Sequence, residues 1–262
     1  PTAQVLAGFA ELDGTPAWVD PRNVLASPVQ VYRDRKLQPV VATELEFYLV
    51  APGDGAAPSP LLGKIPGTNL LQQGIQYCMA DDLWDADHFL EDVARACELQ
   101  RVPLTAIHSE FSPGQWEINT HHLDDPVVAC DHAMLLKRLV KGIARKHGIS
   151  ASFMAKPFPD IAGSGLHIHA SVYDAQGDNI FSDPAAEPPA ISSVLRHAIG
   201  GLYTTMPEAM AVFAPNANSY RRLKPGTFAP LSPSWGYNHR EVALRIPVSS
   251  DSNRRVEHRV AG

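Results

Sequence analysis

An apolar run that contains two carboxylates constrains this chain more than any other stretch. Residues 40–50 read VVATELEFYLV, a β-branched and aromatic composition that predicts a buried strand. Glu44 and Glu46 interrupt the run, and because side chains alternate faces along a strand, both point the same way. Neighbouring like charges in an apolar element are costly unless a cation neutralises them. The alternative is an edge strand with its acids in solvent.

Polar side chains recur in pairs near two other predicted strands. Glu110 and Glu117 flank a Ser-Pro-Gly turn at 112–114, so a β-hairpin brings both acids to one space. His167 and His169 lie two residues apart in an apolar run and therefore share a face. Each pair has a plain alternative, because the acids suit the solvated ends of a hairpin and the histidines suit a surface or hydrogen-bonded core pair.

The last third of the chain is rich in arginine, with Glu257 among the arginines. Carboxylate oxygens with an occasional imidazole suit Mg²⁺ or Mn²⁺, whereas arginine binds phosphate or carboxylate through its planar fork. Cations and arginines together indicate phosphoryl transfer, although the chain has no GxxxxGK[ST] loop. Surface arginines with Glu257 as a salt-bridge partner are the alternative. The arginines are Arg221, Arg222, Arg240, Arg245, Arg254, Arg255 and Arg259.

Composition narrows the partners and the compartment. The net charge is −6 and no basic block occurs, which argues against nucleic acid. No apolar run approaches the roughly 18 residues that a membrane-spanning helix needs. The 3 cysteines show no CxxC spacing, so we expect free thiols in a reducing compartment, the cytoplasm.

The order of apolar patterns predicts an α+β fold, with several antiparallel strands and helices that cover one face. Asp20 and Asp87 are predicted to cap helices, and Pro207 to end one. The predicted helices are 21–36, 87–100, 126–147 and 191–206; the predicted strands include 5–9, 104–111, 115–120, a strand that begins at 152–154, and 166–173; residues 51–76 are predicted to form a surface loop.

Five ordered motifs resemble the catalytic domain of the glutamine synthetase family. They are TELEFYL (43–49), SEFSPGQWEIN (109–119), GSGLHIH (163–169), APNANSYRRLKPG (214–226), and NHREVALRIP (238–247) with RRVEHR (254–259). The resemblance implies a curved antiparallel β-sheet with helices packed on its outer face. It also implies that residues 1–20 end a small β-rich domain or form a linker, and that 21–262 belong to a catalytic domain incomplete at its carboxyl end.

The resemblance implies roles for individual residues. The positions of one divalent cation's ligands are matched by Glu46, Glu110 and Glu117, and those of a second by Glu44, His167 and Glu257. The ATP-binding positions are matched by His169, Ser171, Arg245 and Arg255. The glutamate-binding positions are matched by Gly163 and Arg222, and the catalytic positions beside the transferred phosphate and the phosphorylated carboxylate by Arg240 and Arg259.

The implied activity is an ATP-dependent ligation of the glutamate γ-carboxyl to an amine. Two or more Mg²⁺ or Mn²⁺ ions are the implied cofactors, and glutamate, ATP and an amine the substrates. The family forms rings of identical subunits with active sites between them. Glutamine synthetase that uses ammonium is one alternative, and a non-catalytic scaffold relative is another, although a scaffold has no need for the acid and histidine set.

Two departures from the ammonium-using members favour an organic amine. Those members read PGYEAP where this chain reads PGTFAP at 225–230, so Phe228 replaces a Glu that accepts a proton from ammonium. A benzyl group cannot accept a proton, whereas its face can contact an alkylammonium. Ala162 likewise replaces an Asn. Both changes resemble relatives that make γ-glutamyl-polyamines or γ-glutamyl-ethanolamide. Two alternatives stay open: a nearby acid substitutes for that Glu, or Phe228 only packs the loop.

Overall fold

The strand with the two carboxylates lies inside the β-sheet of this protein. The computed structural model describes residues 3–53, 57–187 and 189–262. The strands are β1 (Gln38–Val50), β2 (Leu104–Ser109), β3 (Gln115–Thr120), β4 (Ser150–Ser152), β5 (Leu166–Tyr173), β6 (Trp235–Tyr237), β7 (Leu244–Ile246) and β8 (Val256–His258). The helices are α1 (Pro21–Asp34), α2 (Ala80–Asp85), α3 (Asp87–Gln100), α4 (Pro126–Lys146), α5 (Ser193–Phe213) and α6 (Ala217–Arg222).

The eight strands form one sheet in the order β2-β3-β1-β5-β8-β7-β6, and β4 pairs with β1 beyond this path. Every named pair is antiparallel except β6–β7, which is parallel. The α+β prediction is confirmed, but the sheet is mixed rather than wholly antiparallel. The last three strands have only 3 residues each, so their sequence pattern is too short to indicate direction.

The helices cover one face of the sheet because β1 alternates. Leu45, Phe47 and Leu49 are buried, and they form one hydrophobic core with Leu136 and Val140 of α4. Acids occupy the alternate positions of β1 and therefore point to the opposite face. A second core joins α5 to β5, β7 and β8 through Leu195, Ile199, Val172, Leu244 and Val256. The face without these cores is left for polar side chains.

Asp20 caps α1 as the sequence predicts. One carboxylate oxygen accepts the amide hydrogen of Arg22 at 2.9 Å, and the other accepts that of Phe9 at 2.8 Å. The prediction that Asp87 caps α3 is wrong, because Ala86 is the cap residue and Asp87 is the first helical residue. The preceding helix α2 ends at Asp85 and leaves no room for an extended cap residue at 87.

Pro207 lies inside α5, so the prediction that it ends a helix is wrong. Proline lacks the amide hydrogen of an internal helical bond, a loss that tertiary packing offsets here. Met206 is buried, and Met210 and Phe213 beyond the proline pack against the second core.

Three smaller predictions also change. Residues 5–9 are exposed and form no strand, β2 stops at Ser109, just before Glu110, and β4 begins at Ser150. The 51–76 segment is irregular apart from isolated bridges, and its residues 54–56 lie outside the described ones. None of the helices in the described ranges has the length and apolar composition to cross a bilayer.

We expect Leu136→Ala in α4 to lower the free energy of unfolding by about 2–5 kcal/mol, because the side chain is fully buried in the first core. Equilibrium unfolding in urea measures the change. Met134→Ala on the same helix is the control, since Met134 is 63% exposed and its loss leaves no cavity. Equal destabilisation by the two substitutions would contradict this placement of the core.

Candidate active site

Strand register lines up acids, histidines and an arginine on the polar face of the sheet. Residues directly opposite each other on antiparallel strands have Cβ atoms about 4.5–5.5 Å apart, so these pairs are neighbours. The opposed pairs are Glu117–Glu46, Glu44–His167, His169–Glu257 and Glu257–Arg245. We name the following set the acid–histidine row: Glu44, Glu46, Glu110, Glu117, His167, His169 and Glu257.

One end of the row is a cluster of three carboxylates. Oxygens of Glu46, Glu110 and Glu117 lie within 4.8 Å of one another, the same three residues that the sequence resemblance assigns to one cation. Glu110 follows β2 and is fastened to the hairpin by its amide, which donates to the Gln115 carbonyl at 2.8 Å. Burial, and then the charges of Glu46 and Glu117, raise the pKa of Glu110 to about 7.

The middle of the row joins Glu44 to both histidines. Glu44 lies 3.1 Å from His167 Nδ1 and 2.8 Å from His169 Nε2. The groups of ligand atoms within 4.8 Å are Glu44–His169–Glu257 and Glu44–Glu117–His167. The resemblance assigns His169 to ATP binding, but its ligand atom belongs to the same group as that of Glu257. His167 Nδ1 nevertheless lies 3.5 Å from Glu257, so both imidazoles border this position.

Hydrogen bonding and charge decide the ionisation of the two remaining acids. Burial acts to raise the pKa of Glu44, but the adjacent imidazoles of His167 and His169 outweigh it and the pKa lies well below its ordinary value. Glu257 is fully buried, which likewise acts to raise its pKa, yet the charges of Arg259 and the two histidines lower it. Both side chains are therefore carboxylates at neutral pH, as ligands of hard cations must be.

Arginines adjoin the Glu257 end of the row. Arg245 donates to Glu257 at 2.9 Å, and Arg259 also donates to Glu257. Arg255 donates through Nε to His169 Nδ1 at 3.0 Å. These contacts hold each guanidinium beside the row. Arg245 also donates to the Asn238 side-chain oxygen at 2.9 Å, and Arg255 to the Asn253 carbonyl at 3.2 Å.

A cleft of about 570 Å³ opens over the row. Its lining includes four of the acids, His167, Gly163 and the arginines Arg222, Arg240, Arg245 and Arg259. A second cavity of about 210 Å³ adjoins it across Glu44, with His169, Ser171 and Arg255 in its wall. Apart from Glu257, which is fully buried, the residues assigned from the resemblance to cations, glutamate and ATP thus line these two neighbouring spaces.

Arg222 holds the cleft wall together from within. Its guanidinium donates to the carbonyls of Arg259, Val260 and Ala261 at 3.0–3.2 Å. A Cβ at Gly163 would collide with the Arg222 side chain, and the guanidinium leaves equally little space at residue 165. Arg222, assigned from sequence to substrate, therefore also fixes residues 259–261, the segment that follows β8.

Four neighbours of the row are absent from the sequence-based assignment. Gln115 donates to Glu46 at 3.2 Å and His108 Nε2 lies 3.0 Å from Glu117. Asn119 donates to Glu117 at 3.1 Å, and Tyr77 accepts a hydrogen bond from Arg240 at 3.0 Å. Alternation identifies Gln115 and Asn119, since each is two residues from Glu117 on β3. His108 and Tyr77 have no signal in the sequence, because strand register and loop position bring them there.

The row fits divalent cations. The Nε2 atoms of His167 and His169 are buried and have no hydrogen-bonding partner among the described residues, although His169 Nε2 is close to Glu44. A buried imidazole nitrogen aimed at carboxylate oxygens without hydrogen-bond geometry is typical of a ligand position. Oxygen donors with one or two imidazoles suit Mg²⁺ or Mn²⁺ better than zinc.

The fold and the site define a class of domain. In this class one face of a sheet presents side chains suited to bind cations, next to arginines suited to bind an anion. The sequence pattern of the glutamine synthetase catalytic domain matches residues 18–262, and the chain belongs to this family.

Two curated relatives are amine ligases. The chain is 44% identical over 262 residues to γ-glutamylputrescine synthetase PuuA of Escherichia coli (strain K12), with 99% of this chain and 54% of the relative covered. It is 33% identical over 261 residues to glutamate–isopropylamine ligase of a Pseudomonas species, with 100% and 56% covered. The chain thus spans about half the length of the curated relatives that it matches.

Solved structures agree on the fold. A ligand-free GmaS structure has a TM-score of 0.79 and 28% identity, over 95% of this chain and 55% of that one. The glutamine synthetase of Plasmodium falciparum has a TM-score of 0.83 over 95% and 53%, with 19% identity, so that likeness supports the fold alone.

We expect Glu46→Gln to weaken Mn²⁺ binding by at least roughly tenfold, because the amide removes one anionic ligand without changing the size of the side chain. Isothermal titration of the full-length protein with Mn²⁺ measures the affinity. Glu98→Gln on the exposed face of α3 is the control and should bind as the unaltered protein does. Unchanged affinity in Glu46→Gln would exclude Glu46 as a ligand, and no Mn²⁺ binding by the unaltered protein would favour a scaffold.

Proposed function

We propose that the full-length protein is an ATP-dependent ligase that joins the γ-carboxyl of glutamate to an alkylamine or polyamine. One observation carries the proposal: a single cleft combines four acids and His167 of the acid–histidine row, a set of arginines and, at Phe228, an exposed aromatic side chain. The first two features suit phosphoryl transfer to a carboxylate. The third suits an acceptor that has carbon as well as nitrogen.

The acid–histidine row would hold two or more divalent cations, with Glu46, Glu110 and Glu117 at one position. Glu44, Glu257 and the two histidines would border the second position. Bound Mg²⁺ or Mn²⁺ neutralises phosphate oxygens and orients them for in-line transfer. The row itself keeps these ligands aligned, because each carboxylate has at least one hydrogen-bond donor from a strand or its neighbour.

The arginines would supply the positive charge opposite the row. In the first step the γ-phosphoryl of ATP passes to a glutamate carboxylate oxygen, and ADP leaves. Arg240, Arg245 and Arg255 would bind the oxygens of the transferred group, and Arg259 those of the acyl phosphate. In the second step the amine nitrogen attacks the acyl carbon and loses a proton, and phosphate leaves. Fixed guanidinium groups favour both transition states because negative charge accumulates on phosphate oxygens.

His169, Ser171 and Arg255 share the smaller cavity, where ATP would lie, while Gly163 and Arg222 border the larger cleft, where glutamate would lie. We further propose that the protein acts in the cytoplasm as a ring-shaped homo-oligomer, that residues 1–20 connect a small domain to the catalytic domain, and that the neighbouring subunit completes the cleft.

Phe228 supports an organic amine over ammonium. Its side chain is 42% exposed and lines the cleft, so it does more than pack its own loop. Its ring contacts Phe111 at a centroid distance of 5.1 Å, in an edge-on arrangement. Glu110 directly precedes Phe111 and is the acid nearest to it in the sequence. Glu110 already belongs to the carboxylate cluster. An uncharged side chain here offers ammonium neither a proton acceptor nor an ion pair, whereas the carbon atoms of an alkylammonium gain apolar contact with the ring.

We expect glutamate-dependent ADP release to show a higher kcat/KM with putrescine, spermidine or ethanolamine than with ammonium. Coupled assay of the full-length protein across this panel measures the preference. A higher kcat/KM with ammonium would make the alkylamine assignment wrong and support glutamine synthetase.

The effect of a negative charge introduced at residue 228 can be tested separately. We expect Phe228→Glu to raise kcat/KM for ammonium roughly tenfold relative to Phe228→Leu, about the effect of one charge-assisted hydrogen bond. The leucine variant is the matched control, because it removes the ring without adding a carboxylate. Identical ammonium kinetics in both variants would show that residue 228 does not face the amine nitrogen.

A further inference from the structure

An apolar surface forms part of the otherwise charged cleft. Ile75, Tyr77, Phe111 and Phe228 all line it, and we name these four residues the apolar wall. Ile75 is 59% exposed, Phe228 42% and Tyr77 39%. Apolar side chains that stay exposed inside a cleft of acids and arginines lose contact with water only when a ligand covers them, so the wall favours a ligand with carbon at this place.

Buried hydrogen bonds fix one half of the wall. Gln76 lies between Ile75 and Tyr77 and is only 1% exposed. The side-chain nitrogen of Gln76 donates to the Gln115 carbonyl at 2.6 Å, and its side-chain oxygen accepts from the Gly114 backbone amide at 3.0 Å. The backbone of Gln76 also donates to the Phe111 carbonyl at 3.3 Å. The segment is therefore attached to the hairpin that carries Glu110 and Glu117.

The other half is fixed around Phe228. The Thr227 hydroxyl donates to the carbonyls of Arg222 and Lys224 at 3.3 and 2.7 Å, and Ala229 is buried. Phe228 has a φ of 58°, a left-handed conformation that a bulky residue rarely adopts. Its neighbours hold it there, which directs the ring into the cleft and against Phe111.

Phe111 joins the wall to the proposed reaction centre. It follows Glu110 directly, and its backbone amide donates to the Glu110 carboxylate. An alkyl chain that lies along the Phe111 ring would therefore have its nitrogen close to the carboxylate cluster. Phe111 thus has its backbone amide on that cluster and its ring against the Phe228 ring.

We propose that the apolar wall binds the alkyl chain of the amine substrate, and that Phe111 is a specificity-determining residue that sets how strongly each added methylene group favours reaction. This inference rests on the proposed ligase function and extends it to a second residue. Selection arises from the burial of carbon against a preformed surface, so the rate advantage grows with the length of the chain that the wall can cover.

The test uses the full-length protein with Mg²⁺, ATP and glutamate, and the monoamine series methylamine, ethylamine, propylamine and butylamine. Only the number of methylene groups varies, because no second charge is present. In the unaltered protein we expect kcat/KM to rise by up to about fourfold per methylene group, the effect of full burial. In Phe111→Leu the rise should fall below about twofold per group, since part of the covering surface is lost.

Phe153→Leu is the matched control. Phe153 also belongs to an aromatic pair with a centroid distance of 5.1 Å, with Phe47, but it does not line the cleft. This variant should keep the slope of the unaltered protein even where its stability falls. Two results would overturn the inference. In one, kcat/KM rises as steeply per methylene group in Phe111→Leu as in the unaltered protein. In the other, the unaltered protein shows no rise and the two variants have equal slopes.

Hydroxylamine separates failure of the inference from failure of the proposed function. It has no alkyl chain, so formation of γ-glutamyl hydroxamate reports activation of glutamate without the wall. Hydroxamate formation at a similar rate in Phe111→Leu and the unaltered protein, together with a reduced alkylamine slope, supports the inference. Hydroxamate formation with a flat alkylamine series overturns the inference alone, whereas no hydroxamate from the unaltered protein overturns the proposed function. Equal loss of hydroxamate and alkylamine products in Phe111→Leu would assign Phe111 a structural role instead.

Discussion

Repulsion among carboxylates on one sheet face is the constraint on which the rest of this structure depends. Glu44 and Glu46 point to one side of β1, and register adds Glu117 and Glu257 from other strands. Each acid is balanced by donors that the sheet itself positions, such as His167 beside Glu44 and Arg245 beside Glu257. At Glu110, burial and the charges of Glu46 and Glu117 outweigh the backbone donor of Phe111, and the pKa rises to about 7. The row is thus arranged for cations, and neighbouring imidazole and guanidinium groups hold it in place.

The same alternation explains why the helices lie on the other face. Leu45, Phe47 and Leu49 must be covered if the acids between them are to remain accessible, and α4 supplies the cover. Arg222 and the glycines beside it then hold the end of the chain close under the cleft. Apolar packing on one side of the sheet therefore offsets the free-energy cost of clustering charges on the other side. This arrangement is common at functional sites.

Strongly periodic segments could be predicted from the sequence. The bounds of β3 and β5 and the length of α4 follow from periods of two and 3.6 residues, and the Asp20 cap follows from side-chain chemistry. The misplaced cap at Asp87 and the helix that passes through Pro207 have a different cause. In both, tertiary packing and the position of a neighbouring helix outweigh a local preference that is worth only a few kcal/mol.

The sequence by itself determined which side chains share a face of their strand, because alternation along a strand is a local property: Glu44 with Glu46, and His167 with His169. Only the tertiary structure decided which strands are neighbours and in what register. That register places His169 opposite Glu257 and brings His108 to Glu117, and the paths of two loops set Phe111 against Phe228. Contacts between residues far apart in the chain depend on strand order and loop paths, which are set by the packing of the whole domain rather than by any one segment.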